Sequence, residues 1–212
     1  MKNMPTEFRK ILEDLVAEKA PGPAPTFSVF HIIRALELIA EKPIGRGKLA
    51  EELRIGPGTI RTIINRLRRA ELITTSKSGC SLTEKGLKLY NQIKEVFGGI
   101  VSIKEDKLIQ AEYNVAMLIK RCGYKVGSGM EQRDAAVKVG AKGATVIVYK
   151  KGCFVIPSAS EDASREYPKL TKKLEEAFKL EDGDVIIISG ADRQETAEYG
   201  AIAAAWTLIN NR

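Results

Sequence analysis

The chain is poor in the residues that usually announce chemistry. Its 212 residues include one histidine, three cysteines and one tryptophan, and aromatic residues make up 6%. A structural zinc site draws four Cys or His ligands in closely spaced pairs. No such pairs occur, so no metal site is expected. Cys80, Cys122 and Cys153 are odd in number and widely spaced, which argues against a secreted disulfide framework. A Cys122–Cys153 bridge stays open for a hyperthermophilic source, to which many Lys, Arg and Glu against few Asn and Gln point. His31 lies in an apolar helical run and reads as an ordinary side chain at a helix edge. A nucleophile needs a base nearby, and no such constellation appears. No catalytic residue or cofactor is therefore assigned. No window holds eighteen consecutive apolar residues, so no membrane span is expected. The stretch Met1–Glu7 runs into mixed charge and lacks the apolar core of a signal peptide. The cytoplasm is the expected compartment.

What is present is enough apolar residue for packed cores, 44% of the chain, spread over a length that favours two domains. The net charge of +7 is unevenly placed. Residues 45–97 carry eleven Lys and Arg against five Asp and Glu, whereas the segments on either side are nearly balanced. Positive charge gathered in one segment is the footprint of a surface that binds a polyanion.

Hydrophobic periodicity divides the chain into three parts. Residues 1–25 are expected to form a helix over Glu7–Lys19, capped by Thr6, and a stiff connector around Pro21, Pro23 and Pro25. Residues 26–98 contain helices over Ser28–Glu41, Arg46–Leu53 and Pro57–Ala70. A strand over Glu71–Lys77, a Ser78-Gly79 turn and a strand over Cys80–Leu82 follow, and then a helix over Glu84–Phe97 with Leu87, Tyr90, Ile93 and Phe97 inward. Gly98-Gly99 is the expected boundary. Residues 99–212 alternate strands and helices and are expected to form a small two-layer α/β sandwich with a mostly antiparallel sheet. The fold class as a whole is α+β.

Helix, helix, turn, helix, two-stranded wing, helix is the order of a winged helix-turn-helix. With Ile60, Ile64 and Leu67 inward, the 100° step of a helix turns Gly58, Thr62, Asn65 and Arg69 outward. Arg61 and Arg66 flank that face. Arginine suits guanine edges and phosphates, and asparagine suits adenine. The expected DNA contacts are Thr59, Arg61, Thr62, Asn65, Arg66 and Arg69. Lys48 is added on the preceding helix, and Ser76, Lys77 and Ser78 at the wing tip.

The run from Pro43 to Leu67, PIGRGKLAEELRIGPGTIRTIINRL, resembles archaeal winged-helix regulators. Leu82-Thr83-Glu84-Lys85-Gly86 is similar to the segment that opens the post-wing helix in many of them. The whole chain resembles a family of two-domain archaeal proteins with such a head and a poorly characterised C-terminal domain. The resemblance implies binding to double-stranded DNA. Iron- or manganese-dependent regulators share this type of head but use His, Cys and acidic ligands, and a single histidine does not supply that set.

In the C-terminal part, Gly127-Ser128-Gly129 precedes a helix and reads as a tight turn or a phosphate cradle. Ser189-Gly190-Ala191-Asp192 joins a strand to the last helix, with Asp192 and Glu195 read as a capping box. Gly127, Ser128, Gly129, Gly190 and Asp192 are the candidate contacts for a small-molecule effector. The sequence thus points to a homodimeric DNA-binding regulator. It leaves open a metabolite-acting enzyme with a regulatory head, or an RNA- or protein-interaction module.

Overall fold

The computed structural model describes residues 7–17, 27–103 and 108–209. Thr6 and the connector Pro21–Pro25 lie outside the described residues. The chain divides into two compact units, Met1–Lys94 and Glu95–Arg212.

In the first unit, α1 (Glu7–Val16) packs Phe8, Leu12 and Leu15 inward. Helix α2 (Val29–Glu41) buries Ile32, Leu36 and Ile39. His31 has a structural task here: its Nδ1 accepts the Ser28 backbone N–H at 3.2 Å, and burial lowers its pKa. The short α3 (Arg46–Glu52) and then α4 (Pro57–Arg69) follow, with Leu49, Ile60, Ile63, Ile64 and Leu67 buried. Both helices end in the same way. In α3 the Ile55 N–H reaches Ala50 O at 3.1 Å and the Arg54 N–H reaches Glu51 O at 3.0 Å; in α4 the Leu72 N–H reaches Leu67 O and the Glu71 N–H reaches Arg68 O, each at 2.9 Å, the paired bonds of a Schellman close. The left-handed residue at each end is not glycine but Arg54 (φ 50°) and Glu71 (φ 60°).

The hairpin of β1 (Ile73–Ser76) and β2 (Gly79–Leu82) pairs Ser76 with Gly79. The turn is therefore Lys77-Ser78, one residue earlier than expected, because Gly79 is itself paired at φ +120°. Ile44 bridges to Cys80 through bonds of 3.1 and 2.8 Å and gives the hairpin a third, short partner. Thr83 then caps α5 (Glu84–Val96), its Oγ1 accepting from the Gly86 N–H at 3.0 Å. The inward face of α5 differs from expectation. Leu89, Ile93 and Val96 are buried, while Leu87 is 49% exposed. Gly86 explains the rotation, since a Cβ there would stand 2.0 Å from Leu72 O, so the helix meets the backbone just before β1 at that glycine.

The expected boundary at Gly98-Gly99 falls instead inside β3 (Phe97–Ile103). These glycines serve a bulge: the register against β4 (Tyr113–Ile119) shifts between Phe97 and Gly99, and Gly99 has φ +115°. The second unit continues with a 3-10 turn (Gly123–Lys125), α6 (Met130–Lys138), β5 (Gly143–Lys150), β6 (Cys153–Val155), α7 (Ala163–Glu166), α8 (Pro168–Ala177), β7 (Val185–Ala191) and α9 (Gln194–Ile209). Its five strands lie in the order β3-β4-β7-β5-β6, and every pairing is antiparallel. The α+β class and the antiparallel sheet are as expected.

The sheet has helices on both faces, which adds a third layer to the two expected. Ile186 and Ile188 of β7 share a core with Leu170, Leu174 and Phe178 of the α8 side. On the other face α9 lies against β7 and β4, and α6 lies against β5. Gly200 sets that approach, because a Cβ there would stand 2.5 Å from Ser189 Oγ. Such cover is why β7 is buried throughout and reads as a continuous apolar run. At one end, the fully buried Asp184 carboxylate accepts from Lys120 Nζ at 2.9 Å, Arg121 N at 2.9 Å and Glu181 N at 3.0 Å. Cys80, Cys122 and Cys153 are all free thiols, so no Cys122–Cys153 bridge forms. Burial pushes the Cys122 thiol up to about 11.

Two glycine substitutions separate packing from propensity. Gly86→Ala should cost about 1–3 kcal/mol of stability through overpacking. Gly47→Ala, in α3 with open space at its Cβ, should be neutral or stabilise by about 0.5–1 kcal/mol. Chemical denaturation of the two variants measures the contrast, and equal effects would contradict it.

Candidate nucleic-acid interface

The site is the outer face of α4. This helix carries four arginines and no acidic residue. Arg61, Thr62, Arg68 and Arg69 are exposed, while Thr59, Asn65 and Arg66 are half-buried. Gly58 is exposed with nothing within 4 Å of a would-be Cβ, so the start of α4 can be approached closely. Thr62 Oγ1 donates to Gly58 O at 3.1 Å. Its proton is thereby used, leaving acceptor lone pairs and a methyl group for an incoming ligand.

Arg66 is placed differently from the other arginines. Its Nη1 donates to Leu15 O and Ala17 O, each at 2.8 Å, and its guanidinium stands 5.2 Å from the Phe27 ring centroid. Carbonyls at a helix C-terminus lack intrahelical partners and carry partial negative charge. Arg66 satisfies those at the end of α1 and stacks on an apolar ring. The flank of α4 that it shares with Thr59 is thus engaged with the chain itself. The opposite flank is the open one. A 100° step brings Arg68 within about 20° of Arg61. Sequence reasoning missed Arg68, although that arithmetic would have found it, and it set Arg66 as the equal of Arg61.

Lys48 is exposed, but its ammonium lies 3.1 Å from Glu51 and 3.1 Å from Glu52, and those carboxylates raise its pKa. It is offered to a phosphate only by exchange with its own acids. At the wing tip, Ser76, Lys77 and Ser78 are all exposed. The Ser76 and Ser78 hydroxyls bond each other at 2.7 Å, which ties the turn and leaves Lys77 as its charge.

The effector candidates do not converge. Gly127, Ser128 and Gly129 stand at the start of α6, with Gly129 in the left-handed conformation at φ +83°. Gln132, near that start, bonds Thr207 near the end of α9 at 2.6 Å. Gly140, past the other end of α6, faces Thr196 at the start of α9. The two helices are antiparallel, so Gly190 and Asp192 lie at the opposite end of the layer from Gly127–Gly129. Gly190 is closed off as well, since a Cβ there would meet Asn114 Oδ1 at 2.4 Å and Ile109 at 2.6 Å. Asp192 is not the cap of α9, which begins at Gln194; its carboxylate pairs with Lys142. A shallow groove lies elsewhere, between β3 and α8, lined by Val101, Ile103, Leu174 and Ala177 among others. Among the described residues no group of three or more His, Cys, Asp or Glu could hold a metal ion. Among them, too, no helix is long and apolar enough to cross a membrane.

The fold and this surface define a protein with a winged helix-turn-helix head followed by an antiparallel α+β domain. Residues 31–88 match the sequence model of the PH0730-like N-terminal domain, and residues 109–208 match a domain of unknown function, DUF4443. Among solved structures the chain is similar to hypothetical protein PH0730 from Pyrococcus horikoshii OT3. The identity is 27%, 86% of this chain and 92% of that chain are covered, and the TM-score is 0.69. No curated protein matches. The two matched stretches fall one in each compact unit.

The Arg66 contacts make a stability prediction. Arg66→Ala should lower stability by about 1.5–3 kcal/mol, the range for hydrogen bonds to a charged group. Arg69→Ala, on the open surface, should stay within about 0.5 kcal/mol of wild type. Urea denaturation compares them, and an unaffected Arg66→Ala would show that α1 is not held this way.

Proposed function

We propose that the chain is a DNA-binding transcription regulator whose α4 lies in the major groove of duplex DNA. The observation that carries this reading is the arginine-bearing, acid-free outer face of α4. Arg61, Arg68 and Arg69 are exposed there, and among the described residues none of them sits in an ion pair. A charged face that serves only solubility usually mixes both signs. Three arginines in the last turn also complement the helix dipole, but that effect needs no arginine at 61.

Phosphate contacts would supply most of the affinity and base contacts the selectivity. Arg61, Arg68 and Arg69 are the phosphate and guanine contacts in this reading. Thr62, with its proton committed to Gly58, is suited to a thymine methyl or an amino group of adenine or cytosine. Asn65 is assigned to adenine. Lys77 reaches a neighbouring phosphate from the wing.

The second unit is proposed to pair two copies, so that two heads read half-sites about one helical turn apart. A small-molecule effector would act by binding one arrangement of the heads better than another. Gly190 and Asp192 are not carried forward as its contacts. The exposed turn at Gly127–Gly129 and the groove beside β3 are the places to look.

Anisotropy titrations with mixed-sequence duplex DNA test the proposal. Arg61→Ala combined with Arg69→Ala should weaken binding by about a hundredfold or more at moderate salt. The slope of log K against log salt should flatten by about two contacts. Unchanged affinity, or tighter binding to structured RNA than to duplex DNA, would count against it.

A further inference from the structure

The outward stripe of α6 is arranged so that it complements itself. Gln132 and Ala136 are turned inward, with 2% and 0% exposure, against Thr207 and Gly200 of α9. The opposite side carries Met130, Arg133, Asp134 and Val137, at the i, i+3, i+4, i+7 spacing of one helix face. Met130 and Val137 are 50% and 45% exposed, two of the more exposed large apolar side chains of the chain. Arg133 and Asp134 are exposed between them, and among the described residues neither enters an ion pair.

We propose that this face of α6 is where a second copy of the chain docks, the two α6 helices lying antiparallel across a two-fold axis. The order of residues selects that geometry. An axis through the midpoint between Arg133 and Asp134 sets Met130 of each copy against Val137 of the other. The same rotation sets each Arg133 against the other copy's Asp134. A two-fold interface must be self-complementary, because the same patch meets itself. Apolar ends with a central Arg-Asp pair satisfy that condition, and in a parallel pairing like charges would meet.

One pair of nine-residue helices buries less than the roughly 1,200–2,000 Å² of a stable interface. The neighbouring α9 enlarges it. With Ala197, Ala201 and Ala204 against the sheet, a 100° step turns Ala203 and Trp206 toward the outer side of the same helix layer. Both are half-buried and apolar. The docked assembly is therefore helix layer on helix layer, with the Arg133–Asp134 pairs at its centre setting register and direction. This deepens the reading of paired heads and rests on it for its purpose, but the interface itself forms without DNA.

Sedimentation equilibrium of the full chain without DNA tests it. Wild type should be a dimer. Arg133→Asp converts two symmetry-related attractions into repulsions and should weaken dimerisation by about tenfold or more. Adding Asp134→Arg to that variant should restore it to near wild type, which a merely destabilised fold would not do. Val137→Glu should weaken it as well. A half-site duplex filled by one head should bind the Arg133→Asp protein as tightly as wild type, so a failure of the head is read separately. A monomeric wild type would overturn the proposal. So would an Arg133→Asp variant that dimerises like wild type through another face, or a double variant that stays weak.

Discussion

Four aliphatic side chains of α4, Ile60, Ile63, Ile64 and Leu67, hold the head together, and the rest of the first unit depends on their burial. Each contributes about 1.5–3 kcal/mol when taken from water. Their stripe fixes the rotation of the helix, and the rotation decides where every arginine goes. The same burial that stabilises the fold therefore orients the surface proposed to meet DNA. Arg66 shows the constraint at work. It lies on the flank turned toward α1, so its guanidinium satisfies the carbonyls of Leu15 and Ala17 instead of solvent or a ligand. The first helix is thus a fastening for α4 rather than a separate appendage.

Close backbone approaches do comparable work at the joints. Gly79 lets the hairpin lie against the Ile44 carbonyl, and Gly86 lets α5 lie against the Leu72 carbonyl. With the Ile44–Cys80 bridge, they hold the wing as part of the core rather than as a loose loop. In the second unit, Gly200 brings α9 onto β7, and the buried Asp184 gathers the ends of β4, β5 and β7 through backbone and lysine donors. A buried carboxylate is tolerated where its lone pairs are met in this way. The outcome is a doubly covered sheet, with the outer side of α6 exposed.

Much of this was legible in the sequence because the relevant signals are local. The 3.6-residue apolar stripes gave α2 and α4, Pro57 gave the start of α4, and the alternation of strands and helices after residue 99 gave the second unit. The class and the antiparallel sheet followed from those elements. What failed depended on contacts distant in the chain. Leu87 stands about 120° round the helix from Ile93 and points outward, because Gly86 sets the buried side of α5 against Leu72. Gly98-Gly99 looks like a linker until its partner strand β4 is known, and then it is a bulge. Asp192 fits the pattern of a cap but lies within reach of Lys142. Arg66 and Arg61 look equivalent on a helical wheel, and only the position of α1 distinguishes them. Gly190 has the composition of a ligand loop, but Asn114 and Ile109 occupy the space beside it.

The central claim is that the open face of α4 is the surface that meets duplex DNA. Backbone amide shifts recorded while the labelled protein is titrated with a short duplex test it most directly. The account predicts the largest changes along Gly58–Arg69 and at Lys77, with the strands of the second unit unmoved. Changes confined to the second unit, or none at a DNA concentration that saturates anisotropy, would contradict it.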